Sequence, residues 1–319
     1  MISWSLKPRS SVRLRGSPLF GTGHGDAIFH IFQTRSLILA IEWTTTQQAR
    51  LIELGASNKE QKRTFDTDLE RNSVFQELEK TLTRTMKQQL AALRDGQRRP
   101  QLCLLESKLT ETLVQKGFVQ VTTPIILSRS LLDKMSVTED HSLNSQVYWL
   151  EKNKCLRPML APNLYYLVRD LLRLWEKPVR IFEIGPCFRK ESEGRLHASE
   201  FTMLNLCEFG LPMEQRQERL EELATLIMVA AEIEEYKFVT ESSAVYGSTF
   251  DIVTSQGEEL ELGSGAMGPH PLDQAWKIME TWVGIGFGLE RLVMANRKSG
   301  NLGRHARSLS YLDGIRLAL

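Results

Sequence analysis

Two stretches of this chain alternate apolar and polar positions in the manner of β-strands. In residues 180–210, Ile181, Phe182 and Ile184 begin one apolar run, and Phe201, Met203, Leu204 and Leu206 form a return run. The charged segment 189–195 between them is too polar for a core, so the pattern predicts strand, polar loop, strand. Residues 282–288 predict another strand, in which alternate glycines let a flat ligand lie directly on the backbone. Residues 289–294 then read as a helix with Arg291 in its first turn.

The remaining elements follow from the same periodicities. Residues 44–99 turn helical. Leu51, Ile52 and Leu54 close a first helix at Gly55, and Phe65, Leu69, Phe75, Leu78, Leu82, Met86, Leu90 and Leu93 recur at steps of three or four. Residues 102–115 predict a helix and 117–123 a strand stopped by Pro124. Further strands are expected at 146–150, around Val239, at 245–252 and at 259–268, with helices at 163–174 and 214–235. Strands with helical interludes and no strict βαβ repeat predict an α+β fold built on an antiparallel sheet.

At 319 residues the chain can bury a large core. Its formal net charge of +1 does not decide for or against a nucleic-acid partner; the uneven placement of positive charge matters more. The segment 84–99 carries Arg84, Lys87, Arg94, Arg98 and Arg99, a basic face that can track a phosphate backbone or simply meet solvent. The four cysteines, Cys103, Cys155, Cys187 and Cys207, show no CxxC pairing, which argues against a zinc site and suits a reducing cytoplasm. No run of about 18 apolar residues supports a membrane span.

The chemistry suggested by the residues is anion handling. Arg189 ends a strand and can clamp a phosphate bidentately, with Glu191 two positions on able to accept from an exocyclic amine. Arg291 opens a helix after the glycine strand. The glycine run lacks both the GxGxxG spacing of a dinucleotide site and the Lys-Ser/Thr of a P-loop.

Together these two arginines resemble motifs 2 and 3 of the class II aminoacyl-tRNA synthetases. Segments 156–165 (LRPMLAPNLY), 182–187 (FEIGPC), 200–205 (EFTMLN) and 306–308 (ARS) narrow the resemblance to the pyrrolysyl branch of that class. Residues 307–314 resemble its bacterial form, in which the catalytic part is a separate chain. The resemblance covers roughly residues 43–319. It implies an α+β class II core (101–319), in which the helix–strand–Pro unit before Pro124 resembles motif 1, the dimer-forming unit. It also implies a helical tRNA-contacting segment at 43–100, and leaves 1–42 as an extension of unknown role. The implied activity is ATP-dependent ligation of pyrrolysine to its tRNA for amber-codon translation, by a cytoplasmic homodimer with a separate small N-terminal-type tRNA-binding protein as partner.

The resemblance also implies roles by position. Arg189 would meet the α-phosphate and Arg291 the γ-phosphate, as the catalytic pair. Glu191, His197, Ala198, Phe201, Leu262 and Gly288 would complete the ATP site, and Glu261 and Ser264 would hold Mg²⁺. The amino-acid pocket would be lined by Met159, Ala161, Leu164, Tyr165, Val168, Asn205, Cys207, Tyr246, Ser264, Ala266, Trp282, Gly284 and Gly286. Asn205 would bind the side-chain amide and Tyr246 would close over the ring from a mobile hairpin, in a lining without a charged residue. Arg84, Lys87, Arg94, Arg98 and Arg99 would contact tRNA. Ser248, Phe188, Ala198 and Glu280-Thr281 depart from the family's usual residues, which bears on selectivity but removes no phosphate ligand. Two other readings stand beside this one: a class II enzyme for another large residue such as phenylalanine, and an inactive tRNA-binding relative.

Overall fold

A computed structural model describes residues 40–190, 196–243, 245–257 and 259–319. The chain falls into two compact units, whose described residues are 40–87 and 88–319.

The smaller unit is helical. Helix α1 (Thr45–Glu53) and helix α2 (Asn58–Gln61) each begin with a capping box, from Thr44 with Gln47 and from Ser57 with Glu60. Helix α3 (Asp68–Ala92) starts in this unit. Trp43, Leu51, Ala56 and Phe65 form a small core, with Trp43 and Phe65 meeting edge to face at 4.4 Å between ring centroids. Phe65 bridges to Ile41 instead of continuing the helical repeat, and Leu69 is 82% exposed. The expected apolar stripe of α3 is correspondingly narrower than its sequence suggests.

The larger unit runs as α4 (Gln101–Gln115), β1 (Val119–Gln120), β2 (Ile126–Ser128), α5 (Arg129–Asp133), β3 (Trp149–Glu151), β4 (Lys154–Leu156), α6 (Ala161–Leu174), β5 (Val179–Phe188) and β6 (Glu200–Phe209). It continues with α7 (Arg216–Ala230), β7 (Tyr236–Ser243), β8 (Gly247–Thr254), β9 (Glu261–Gly268), α8 (Asp273–Trp276), β10 (Trp282–Gly288), α9 (Leu289–Asn296), β11 (Tyr311–Leu312) and β12 (Ile315–Arg316). Seven strands form one sheet in the order β1-β5-β6-β10-β9-β8-β7. Only β1 pairs in parallel; the other neighbours are antiparallel, as the α+β expectation required.

Both faces of the central strands are buried, and the two-residue period divides them. Leu204, Leu206, Ile285 and Phe287 face a core closed by Leu109 and Leu113 of α4, Leu220 and Ile227 of α7, and Leu292 of α9. Cys207, Phe209, Ala266 and Trp282 face the opposite side, beneath Leu164, Tyr165 and Val168 of α6. Register aligns Asn205 with Gly286 and Gly286 with Ser264, and in the next row Cys207 with Gly284 and Gly284 with Ala266. The two glycines therefore leave a shallow floor between side chains of flanking strands.

Three elements differ from expectation. Residues 142–146 form a 3₁₀ turn ahead of β3, because the His141 ring accepts from Leu143 N and Ser145 Oγ donates to Ser142 O. The strand expected over 117–123 pairs only at Val119 and Gln120, since Thr123 turns away to Glu183. The helix expected over 214–235 starts at Arg216 and ends at Ala230, followed by a left-handed Glu232 (φ 57°). Among the described residues no helix is long and apolar enough to cross a membrane.

A buried ion pair underlies the β5 edge. Arg157 Nη1 donates to Glu183 Oε1 (2.7 Å), and Arg157 and Glu183 are 2% and 1% exposed. Thr123 donates to the same carboxylate through its N–H (3.1 Å) and its hydroxyl (2.6 Å). Asn163 of α6 donates to Thr123 Oγ1 (2.7 Å). Gly185 makes room for the guanidinium: a Cβ there would stand 2.2 Å from Arg157 Nη2. Arg157→Met is expected to strand the Glu183 carboxylate and lower stability by about 3–5 kcal/mol, read as a shifted urea midpoint. Gly185→Ala should move it in the same direction.

Candidate active site

The β5–β6 hairpin and the β10–α9 junction deliver the two predicted arginines. Arg189 follows β5, where its backbone N–H donates to Ser199 O (3.0 Å) and its Nε to Pro158 O (2.9 Å). Its guanidinium lies 5.4 Å from the Phe201 ring centre, and the residue is 1% exposed. Arg291 is the third residue of α9; its Nη1 donates to Glu261 O (2.8 Å) and sits 3.9 Å from Glu261 Oε2. Both guanidiniums pull the Glu261 carboxyl downward. Burial works against them and prevails, pushing Glu261 up to about 7.

Next to these groups is an open cleft lined by Leu196, His197, Ala198, Phe201, Gly288, Glu290, Arg291 and Leu302. Five of these residues belong to the ATP set read from the sequence: His197, Ala198, Phe201, Gly288 and Arg291. Glu191 lies outside the described residues. Leu262 points to the opposite core, with only its backbone on the β9 ladder near the site.

Glu261 Oε1 is buried and has no hydrogen-bond partner among the described residues. Ser264 Oγ donates to Asp251 Oδ1 (2.5 Å), one strand further out. An orphaned carboxylate oxygen near a serine hydroxyl and a second carboxylate is a set of hard donors that suits Mg²⁺. Among the described residues no cluster of three or more His, Cys, Asp or Glu could hold a metal by itself, so phosphate oxygens or water would have to supply the remaining ligands.

The predicted amino-acid residues converge beside this cleft. Met159, Ala161, Leu164, Tyr165, Val168, Cys207, Tyr246, Ala266 and Trp282 share one buried cluster. Asn205, Ser264, Gly284 and Gly286 lie on the two register rows beneath it. Asn205 is fully buried. Its Nδ2 reaches Ile285 O at 3.4 Å, a long bond, and its Oδ1 has no partner among the described residues. Burial raises the hydroxyls of Tyr165 and Tyr246 well above their ordinary range, and the two share a hydrogen bond. Burial likewise lifts the Cys155 thiol to about 11, the Cys187 thiol to about 12 and that of Cys207 higher still, whereas Cys103 is exposed.

A charged residue stands behind the uncharged lining read from the sequence. Asp273, 3% exposed, accepts from Tyr165 Oη (3.1 Å) and Trp282 Nε1 (2.8 Å), directly behind the aromatic wall. Those buried donors need an acceptor, and an apolar residue there would leave them unsatisfied. Glu290 was missed as well. It is 1% exposed, and its two oxygens accept from Thr202 N at 2.8 and 2.9 Å, which ties the strand of Phe201 to the helix of Arg291. Its position beside Arg291 was a hint, but its partner lies 88 residues away.

Arg84, Lys87, Arg94, Arg98 and Arg99 are all exposed. Arg94 is held by Asp95 through two bonds (2.7 and 2.8 Å), and Arg99 folds back to Cys103 O and Ser107 Oγ.

Residues 85–305 match the family model for the class II core domain (F) of tRNA synthetases. The pyrrolysyl-tRNA synthetase of Desulfitobacterium hafniense is 53% identical and superposes with a TM-score of 0.82, over 88% of this chain and 99% of that one. A second structure of the D. hafniense enzyme, PylSc, is 52% identical with a TM-score of 0.83, over 91% of this chain and all of that one. Among curated sequences, the threonine--tRNA ligase of Wolbachia sp. subsp. Brugia malayi (strain TRS) is 30% identical over 97 residues. That stretch is 30% of this chain and spans 15% of the ligase's length. The chain belongs to the class II tRNA synthetases and, within them, to the pyrrolysyl-tRNA synthetase family.

Burial pushes Glu290 up to about 7, outweighing the two bonds from Thr202 that favour its charged form. Its folded value thus exceeds the unfolded one. Between about pH 5 and 7 the folded state keeps a proton that the unfolded state releases, and stability falls as pH rises. Glu290→Gln should flatten that decline by up to about 3 kcal/mol, read from urea midpoints at pH 5, 6, 7 and 8.

Proposed function

We propose that this chain activates pyrrolysine with ATP as the aminoacyl-adenylate and transfers it to the 3′-terminal adenosine of its tRNA, for translation of amber codons. The observation that carries the reading is Asn205: an amide with an unsatisfied oxygen in the floor of an aromatic and aliphatic enclosure, next to an arginine-flanked cleft. Pyrrolysine is a lysine whose amine is capped by a ring through an amide. An apolar wall suits the ring and Asn205 suits the amide carbonyl. A free lysine ammonium would be desolvated there without a partner of its own.

The substrate carboxylate attacks the α-phosphorus, and the bond to pyrophosphate breaks. The carboxylate is already a nucleophile, so the protein neutralises and aligns. Arg189 is assigned to the α-phosphate and Arg291 to the γ-phosphate, with His197 near the triphosphate. Phe201 would stack on adenine, Ala198, Gly288 and the backbone at Leu262 would border it, and Glu191 would hydrogen-bond its amine. Glu261 and Ser264 would hold Mg²⁺, which supplies charge screening for the departing pyrophosphate.

Arg84, Lys87, Arg94, Arg98 and Arg99 are proposed to meet tRNA phosphates, a reading supported by their exposure. Homodimerisation is supported by exposed Val114, Val119, Ile125 and Ile126 around the β1 edge. A separate small tRNA-binding protein as partner and a cytoplasmic location follow from the family reading.

ATP–pyrophosphate exchange with pyrrolysine, lysine and phenylalanine tests the reading. Exchange is expected with pyrrolysine; exchange with phenylalanine alone would overturn it. Asn205→Ala should lower kcat/KM for pyrrolysine about 10- to 100-fold while the KM for ATP stays within about twofold. Equal losses for both substrates would mark Asn205 as structural.

A further inference from the structure

Asp273 and His270 belong to no assigned role, yet both touch the walls of the amino-acid enclosure. Asp273 collects three donors on two oxygens: Tyr165 Oη on Oδ1, and Trp282 Nε1 (2.8 Å) together with His270 N (2.7 Å) on Oδ2. All but the last come from aromatic side chains that form the pocket wall. The indole of Trp282 is seated tightly: a Cβ on Gly268 would stand 1.8 Å from its Nε1. The ring of Tyr165 stacks on Trp276 at 5.4 Å and meets Trp282 edge-on at 5.9 Å.

His270 reaches the other wall. Leu272 N donates to its Nδ1 (3.2 Å), so in the neutral ring the proton sits on Nε2, 3.1 Å from the carbonyl oxygen of Tyr246. Tyr246 occupies the turn between β7 and β8, next to left-handed Gly247 (φ 68°), and is 3% exposed. Its side chain also shares a hydrogen bond with Tyr165, whose hydroxyl meets Asp273. Two routes thus lead from the hairpin tip to Asp273, one through the Tyr165 hydroxyl and one through the His270 backbone.

We propose that Asp273 and His270 are positioning residues that set amino-acid selectivity. Asp273 fixes Tyr165 and Trp282, and His270 latches the hairpin that brings Tyr246 over the pocket. The inference rests on the pyrrolysine reading above. Loss of the carboxylate would leave a buried indole N–H and a phenol without their acceptor, and the aromatic wall would no longer have one preferred shape. Loss of the imidazole would free the turn without touching the floor of the pocket or the nucleotide cleft. Mere packing residues would instead lower stability and impair both substrates together.

ATP–pyrophosphate exchange on the full chain tests this, with KM measured for pyrrolysine and ATP separately. Asp273→Asn keeps the volume but turns a donor toward Trp282 or Tyr165; it is expected to raise the KM for pyrrolysine about tenfold or more, with the KM for ATP within about twofold. His270→Ala, at a half-buried position, should raise the pyrrolysine KM several-fold and speed hydrogen exchange of the Gly247 and Ser248 amides. His270→Gln, whose amide can still donate to Tyr246 O, should recover part of the loss. Unchanged KM values, or equal rises for both substrates, would overturn the inference while wild-type exchange with pyrrolysine persists. Absence of wild-type exchange would overturn the functional reading and this inference with it.

Discussion

The two-residue period of a strand buried on both faces governs what this molecule can do. On β6, β9 and β10 every second residue must satisfy a closed core under α4, α7 and α9, and the residues between must build a binding floor. A slip of one residue would put Leu204, Leu206, Ile285 and Phe287 on the floor and send Asn205 into oil. Because the core face is so densely apolar, the register is fixed from behind, by residues that never meet a substrate. The floor can then carry glycines and one amide, features that would weaken a strand with less support.

The second determinant is the polar network at the β5 edge. Arg157 and Glu183 hold the end of the β1 segment through Thr123, and Asn163 draws α6 onto the same hydroxyl. The backbone of this region continues into the site: Arg157 O accepts from Phe188 N, and Pro158 O accepts from Arg189 Nε. A buried pair of this kind adds little net stability compared with an apolar substitute, but it is intolerant of rearrangement. That intolerance keeps the backbone that anchors the Arg189 guanidinium in one place.

Legibility in the sequence followed the range of the interactions involved. The strand–loop–strand of Arg189 and the glycine strand before Arg291 announce themselves locally, through periodicity and residue type. The family resemblance then assembled them with Asn205, Tyr165 and Trp282. What stayed hidden were residues defined by a distant partner: Glu290 by Thr202, Arg157 by Glu183, and Asp273 by Tyr165, 108 positions away. A carboxylate facing water and one seated behind an indole look alike in a string of letters. Local competition also misled at the strand expected over 146–150, which starts only at Trp149 because side-chain bonds to the backbone hold residues 142–146 in a 3₁₀ turn.

The burial of Cys155, Cys187 and Cys207 bears on how the molecule tolerates its surroundings. Thiols kept protonated and screened are poor nucleophiles, so peroxide or an electrophilic metabolite finds little purchase on the pocket wall despite the sulfur within it. Cys103 alone faces solvent at the start of α4. A thiol-directed fluorophore should therefore settle there, giving a single natural attachment point from which motion could be watched without engineering any cysteine away.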